Sequence, residues 1–375
     1  NTKYVISDSS QYDDSTPCQT GSIDDPDDDG PCTFQFIGNR PDLEQSAFIQ
    51  DLYHAGNWTI NAGLRWDHYQ LLLNRQAVDP RFAISRYFPS AGIVVHFSYD
   101  RVFQTPSSEN ILYSSSPEVT ALSSDFLRLP VEPSEGNYYE VGLTKVFGGK
   151  LRFDGNYFRR LVNNYADDDQ IDNTTISFPI AFQKATVYGA EGKLELEPFH
   201  RFSGYLSYSY EVGNAWNPVT GGLFLGDDAD AAAQDLSGHF PDSQDQRNTV
   251  RGRLRFQVAP RLWVAGGIQY DTGLPFDFQC QDGESLGDCI SGVAAQYGQD
   301  VVNRINFDRG RILPSFQVNA SVGADLYKSE RFNVRFQADG ENLNNVLDVI
   351  DFGGLFSGNA IGPSRSFALR LSTDF

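Results

Sequence analysis

The sequence has no methionine, only four cysteines and five histidines, and its 29 lysines and arginines are outnumbered by 49 acidic residues. Each shortage excludes something. A net charge of -20 removes the basic patch on which nucleic-acid binding depends. No apolar run approaches the roughly 18 residues of a membrane helix, so a helical membrane protein is excluded. A β-barrel is not, because its strands are only half apolar and read as polar overall. Neither an initiating Met nor a charged-then-apolar leader stands at NTKYVISDSS, so a processed protein or a fragment is expected. The cysteines fall as Cys18 with Cys32 and Cys280 with Cys289, each pair inside a polar, turn-rich stretch. That placement points to two loop disulfides in an oxidising compartment. Neither spacing is C-x-x-C and no histidine adjoins either pair, which weakens a metal reading.

What the chain does have is 28 Phe, 18 Tyr and 34 Gly, a composition that leans towards all-β structure. Alternating runs recur almost throughout. WTINAGLRWDHY puts Trp58, Ile60, Ala62, Leu64 and Trp66 on one face, with Thr59, Asn61, Arg65 and Asp67 opposite. SFQVNASVGADL sets Phe316, Val318, Ala320 and Val322 against Gln317, Asn319, Ser321 and Asp325. RFNVRFQADG sets Phe332, Val334 and Phe336 against Asn333, Arg335 and Gln337, and RGRLRFQV sets Leu254, Phe256 and Val258 against Arg251, Arg253 and Arg255. The final SRSFALRLSTDF alternates to its last residue, Phe375. Such runs give about thirteen strands, each near the ten or so residues of a tilted membrane strand. Soluble strands usually hold about five or six.

The connections alternate in length. YHAGN, YFPSAG, VFGGK, EPFHR, VAPR and YKSER are short, and between them lie polar stretches at 104–135, 166–183, 213–246, 275–313 and 343–363. One long-side link, near 73–80, is shorter. All long loops therefore leave one end of an antiparallel up-and-down sheet, as in a transmembrane β-barrel with tight periplasmic turns. Aromatics near strand ends, Trp58, Phe158, Phe202, Trp263 and Tyr270, suit the interfacial girdles of such a barrel.

Several segments together resemble the barrel of TonB-dependent outer-membrane receptors, especially members with an N-terminal carboxypeptidase-regulatory-like domain. They are AFIQDLYHAGNWTINAGLRWDHY, YDRVFQTPSSENIL, NYYEVGLTKVFGGKLRFDGNYFRR, ATVYGAEGKLEL, DQRNTVRGRLRF, QYDTGLPF, QADGENLNNV and SFALRLSTDF, spanning roughly 42–375. Their order and spacing carry the likeness. The resemblance implies the outer membrane of a Gram-negative bacterium, contact with its lipid, and uptake of a scarce solute such as a siderophore, carbohydrate or peptide. It also implies coupling to the TonB protein, and Phe375 as the signal read by the barrel-assembly machinery. Family barrels have about twenty-two strands and a plug, and nothing in residues 1–41 resembles a plug. The expectation is a C-terminal barrel portion over 42–375, preceded over 1–41 by an acidic external loop and the end of a strand. A smaller closed barrel of about fourteen strands, acting as a passive pore, is the alternative.

Three groups of polar residues are site candidates. Asp25, Asp27 and Asp29 before Gly30 match the opening of many calcium loops, so Ca²⁺ in an external loop is possible. The EF-hand glutamate is missing, since Phe36 stands at the twelfth position, and a solvated acidic loop is the plainer reading. Arg251, Arg253 and Arg255 form an inward basic ladder, with Arg152, Asp154, Glu191, Glu195 and Arg335 on neighbouring strands. Mutual pairing, guidance of an anionic ligand and the lining of a pore are the uses open to it. His96, Ser98 and Asp100 share one strand face, but steps of about 7 Å between successive Cα atoms are too long for a nucleophile and its base. A hydrolase is the remote reading; no enzyme and no required cofactor is expected.

Overall fold

The computed structural model describes residues 2–6, 32–36, 41–71, 73–106, 126–170, 177–225, 229, 232–233, 238–276, 285–329, 332–352 and 360–374. Thirteen long strands form one antiparallel sheet in chain order: β1 Leu43–Ala55, β2 Trp58–Gln70, β3 Asn74–Phe88, β4 Ile93–Gln104 and β5 Ser134–Phe147. Then come β6 Leu151–Gln170, β7 Ser177–Phe199, β8 Phe202–Leu225, β9 Asn248–Ala259 and β10 Leu262–Asp271. Last are β11 Ser315–Lys328, β12 Asn333–Glu341 and β13 Ser366–Asp374. Among the described residues β1 pairs only with β2 and β13 only with β12, so the sheet has two open edges. The expected up-and-down order is present, and among the described residues no strand joins the two edges.

Register makes the two faces continuous from strand to strand, because residues directly opposite in an antiparallel pair point the same way. Leu194, Leu206, Tyr208, Leu254, Ile268, Val322 and Leu369 lie on the outer face. Phe367 and Leu369 are 74% and 76% exposed, as suits a wall that faces lipid. Trp58, Phe202 and Tyr270 belong to that face. Phe158 and Trp263 do not, which corrects the girdle expectation. Phe158 stands opposite Glu140 and Gly189, and Trp263 opposite Gln257 and Gly323, on the inner side. Trp263 fits there because a Cβ at residue 323 would lie 2.3 Å from its ring, a space only glycine leaves open.

The short connections sit at one end of the sheet as expected, and at VFGGK the turn uses Gly148 and Gly149 at φ 55° and 67°. At the other end strand and helix replace much of the expected loop. β6, β7 and β8 run for 20, 23 and 24 residues, well into the stretches 166–183 and 213–246. Beyond the membrane both faces of a strand are wet, so apolar alternation fades although pairing continues. Short strands Phe126–Leu129 and His239–Pro241 add to β8 there. Two helices stand there, α1 Leu286–Tyr297 and α2 Gln299–Val302, separated by Gly298. Ser285 caps α1, its hydroxyl accepting from the Asp288 N–H at 3.2 Å. Near the opposite terminus Thr2–Ile6 pairs with Cys32–Phe36 as a separate hairpin.

Among the described residues the two larger apolar cores lie at this long-loop end, beside a small one of Tyr69 and Leu71. Ile180, Phe182, Ala215, Leu223 and Phe224 form one, on β7 and β8. Val293, Val301, Val302, Ile305, Ile312, Val349 and Phe352 form the other, joining the helices to the segments before and after β11 and β12. Phe352 anchors the second through edge-on contacts with Tyr297 and Phe276, at 5.3 and 6.2 Å between centroids.

Candidate solute-binding face and extracellular mouth

The inner face carries the basic ladder. Arg251, Arg253 and Arg255 on β9 lie opposite Ser207, Tyr205 and Ser203 on β8. The Arg251 Nη1 donates to Asp271 Oδ1 at 2.7 Å, and Arg253 Nη2 to Ser321 Oγ at 3.2 Å. Arg255 donates to Gln257 Oε1 at 3.0 Å while its guanidinium lies 4.5 Å from the Trp263 ring centroid. Arg152 grips Asp154 at 2.8 Å, and Asp154 also accepts from Thr144 Oγ1 at 2.6 Å. Glu195 accepts from Lys193 Nζ at 2.9 Å, whereas Glu191 has only a 3.5 Å contact from Ser209 Oγ. Arg335 shares the face, opposite Asp325 and Ser372. The ladder is thus largely satisfied by its own sheet.

The possible triad does not assemble. His96 Nε2 lies 3.0 Å from Glu140 Oε1 on β5, and Asp100 faces Arg81 at 3.9 Å, so both are engaged across the sheet and not with Ser98. Asp25, Asp27, Asp29, Cys18, Cys280 and Phe375 lie outside the described residues. For Cys32 and Cys289 only the backbone is described, the first in a strand and the second in α1, not in the loop expected for it.

Sequence reading missed the mouth. The segment PDSQDQR, between the strand His239–Pro241 and β9, holds two buried carboxylates. Asp245 is fully enclosed; it accepts from the Gly213 N–H at 3.0 Å, from Arg247 Nε at 2.8 Å and from Arg311 Nη2. Arg311 Nη1 also donates to the Asp245 carbonyl at 2.9 Å. Two guanidiniums and an amide give this charge the hydrogen bonds that burial demands. Asp242 accepts from the Tyr165 hydroxyl at 2.8 Å, and beside it Ser243 Oγ donates to Asp167 at 3.0 Å. Burial pushes the Asp242 carboxyl up to about 6, opposed by the Tyr165 hydrogen bond and assisted by the Asp167 charge. Gly213 permits the close approach, since its Cβ would meet that of Asp242 at 3.0 Å. The clue in the sequence is DQR, an acid two residues before an arginine just ahead of a strand.

Where this segment meets the inner face, a cavity of about 220 Å³ opens between Arg251, Gln269, Asp271, Ser315 and Asp348. Ser315 is 5% exposed and its hydroxyl has no partner among the described residues. Asp348 is held by Gln317 Nε2 at 2.8 Å. Donors and acceptors therefore converge on one small polar recess at the extracellular end of β9, β10 and β11.

The family model "TonB dependent receptor-like, beta-barrel" matches residues 3–343. The chain belongs to the TonB-dependent receptor β-barrel family. It is a receptor barrel of the Gram-negative outer membrane and not an enzyme. Among solved structures, the FrpB iron transporter of Neisseria meningitidis (F5-1 variant) superposes with a TM-score of 0.61 at 11% identity, over 91% of this chain and 46% of that one. The copper transporter OprC gives 0.58 at 13%, over 89% and 47%. A ferric enterobactin receptor mutant of Pseudomonas aeruginosa gives 0.56 at 16%, over 92% and 45%. Likeness at this identity shows the shared fold, and the receptor barrel chain spans just under half the length of these structures. No curated protein matches its sequence.

Proposed function

We propose that this receptor barrel takes up a scarce polar solute through the outer membrane, driven by TonB. The recess beneath Asp245 is its first binding point on the extracellular side. The carrying observation is a cavity whose walls include the Arg251 guanidinium, the Asp271 and Asp348 carboxylates and the Gln246 and Gln269 amides, with the buried, unpartnered Ser315 hydroxyl beside it. A group that both donates and accepts hydrogen bonds, such as a sugar hydroxyl or peptide amide, satisfies that lining. The two open sheet edges support closure by further strands in a barrel larger than thirteen, and the coverage of the solved structures agrees. The test is uptake in cells carrying the receptor, with siderophores, oligosaccharides and peptides supplied as separate radiolabelled pools. Saturable uptake that stops when a protonophore collapses the inner-membrane gradient supports the reading. Non-saturable uptake indifferent to the protonophore would transfer it to the passive pore.

A further inference from the structure

The negative charge of the chain is concentrated at one end of the sheet. The five long connections, 104–135, 166–183, 213–246, 275–313 and 343–363, hold 23 of the 49 acidic residues but only 4 of the 29 lysines and arginines. They carry -19 of the net -20, and the remaining residues together nearly balance. A site rimmed by one sign of charge draws in solutes of the other and turns its own away. The recess at the extracellular end of β9, β10 and β11 repeats that sign at close range. Its guanidinium is already engaged: Arg251 Nη1 donates to Asp271 Oδ1 at 2.7 Å and to the Val250 and Tyr270 carbonyls at 3.2 and 3.4 Å. Asp271 also accepts from Gln269 Nε2 at 3.1 Å, so its charge is answered. Asp348 differs. It accepts from the neutral Gln317 amide at 2.8 Å and has no cationic partner among the described residues. Its place is nonetheless fixed. The next residue, Val349, is buried in the second apolar core, and the Gly362 N–H donates to the Asp348 carbonyl at 2.7 Å. A Cβ at residue 362 would lie 3.1 Å from Asp348 Oδ2, so glycine permits the approach.

The recess therefore holds one carboxylate in excess. Gln246 and Ser315 add neutral oxygens to the same lining, and the Ser315 hydroxyl is buried without a partner. A carboxylate among neutral oxygens matches a group with several donors and no acceptor, which is an ammonium. A hard metal ion asks for about six to eight oxygen ligands. Among the described residues no three His, Cys, Asp or Glu side chains come together in that way. A solute bearing a carboxylate or phosphate would meet Asp348 as a like charge. Resting on the reading of the recess as the entry point for uptake, we infer that the transported solute carries a primary ammonium group, seated on Asp348. Amino sugars and short peptides both present that group.

The test uses cells carrying the complete receptor and two tritiated pools, glucosamine oligosaccharides and short lysine-containing peptides. Each is offered intact and after exhaustive N-acetylation, which removes the charge and keeps the length, beside a third pool of ferric siderophores. Saturable, protonophore-sensitive uptake of one intact pool is expected, with a KM about tenfold higher after acetylation. Which pool enters tells the sugar from the peptide. Asp348→Asn, which keeps an acceptor for Gln317, should bring the two KM values within about twofold of each other, and Asp348→Glu should keep most of the preference. The folded barrel of each variant is verified by its resistance to heat on a gel. Uptake that ignores acetylation, or that is confined to the siderophores, overturns the inference while leaving energised uptake in place. An undiminished preference in Asp348→Asn overturns it as well. If no pool shows saturable, protonophore-sensitive entry, the uptake reading itself falls and the inference with it.

Discussion

The two ends of the same strands are held together in different ways. In the membrane-spanning part, polar side chains of the inner face pair along their own strand or with the next one: Arg65 with Asp67, Arg152 with Asp154, Lys193 with Glu195 and Arg255 with Gln257 lie two residues apart, and His96 reaches Glu140 on the neighbouring strand. At the mouth, partners are far apart in sequence: Arg311 with Asp245, Tyr165 with Asp242, Ser243 with Asp167. The first group is exposed to the lumen and the second is buried. Charges paired locally in water add little to stability but keep the lumen polar without leaving strong sites. Pairs that bridge distant segments fix the mouth in one shape, at the desolvation cost that burial brings.

The sharpest way to break this contrast is Asp245→Ala, which leaves Arg247 and Arg311 beside an emptied, buried site. A loss of about 3–5 kcal/mol from the mouth is expected. It should appear in hydrogen exchange as early opening of 241–247 and 304–313 while β9 and β10 stay protected. Loss of protection in the whole sheet at once would show that the two ends are one cooperative unit.

Next in size is the pH response of Asp242. Its folded pKa, about 6, lies above the unfolded value near 3.8, so the folded mouth holds a proton that the unfolded segment has released. Stability is therefore greatest below about pH 4, falls as pH rises towards 6, and is level above that. Asp242→Asn should flatten the dependence while still accepting the Tyr165 hydroxyl, as measured by exchange of 241–247 between pH 4.5 and 7.5. A variant that keeps the slope would assign it to another group.

Ser315→Ala separates binding from folding. Removing an unpartnered buried hydroxyl should leave stability unchanged or raise it by up to about 1 kcal/mol. The KM for uptake should rise about tenfold; an unchanged KM would remove the recess from the binding path. At the small end, Arg152→Gln should leave the thermal midpoint of the receptor where it is, because the ion pair it breaks is open to water.

Legibility in the sequence follows the same division. Strand faces, the short turns and the shared sheet face of Arg251, Arg253, Arg255, Arg335, Arg152 and Asp154 could be read directly, since alternation of period two is a local property. Phe158 and Trp263 were misplaced because an aromatic near a strand end resembles an interfacial anchor whichever way it points. Arg255 and Gly323 decide the direction for Trp263, and those contacts appear only when strands are aligned. The helices at 285–302 were hidden by their polar composition, and their apolar positions pack on Val349 and Phe352, more than fifty residues from Val293. Asp245 gave no signal beyond DQR, as its partners come from β8 and from the segment before β11.

The extra length of β6 to β8 has a mechanical consequence. A strand needs about ten residues to cross the membrane, and β8 has 24, so some 30–40 Å of paired backbone stands above the lipid on this side. Such a collar behaves as a stiff lever. A solute engaged at its rim meets a surface that resists bending, and sequence can change at the rim without disturbing the part anchored in lipid.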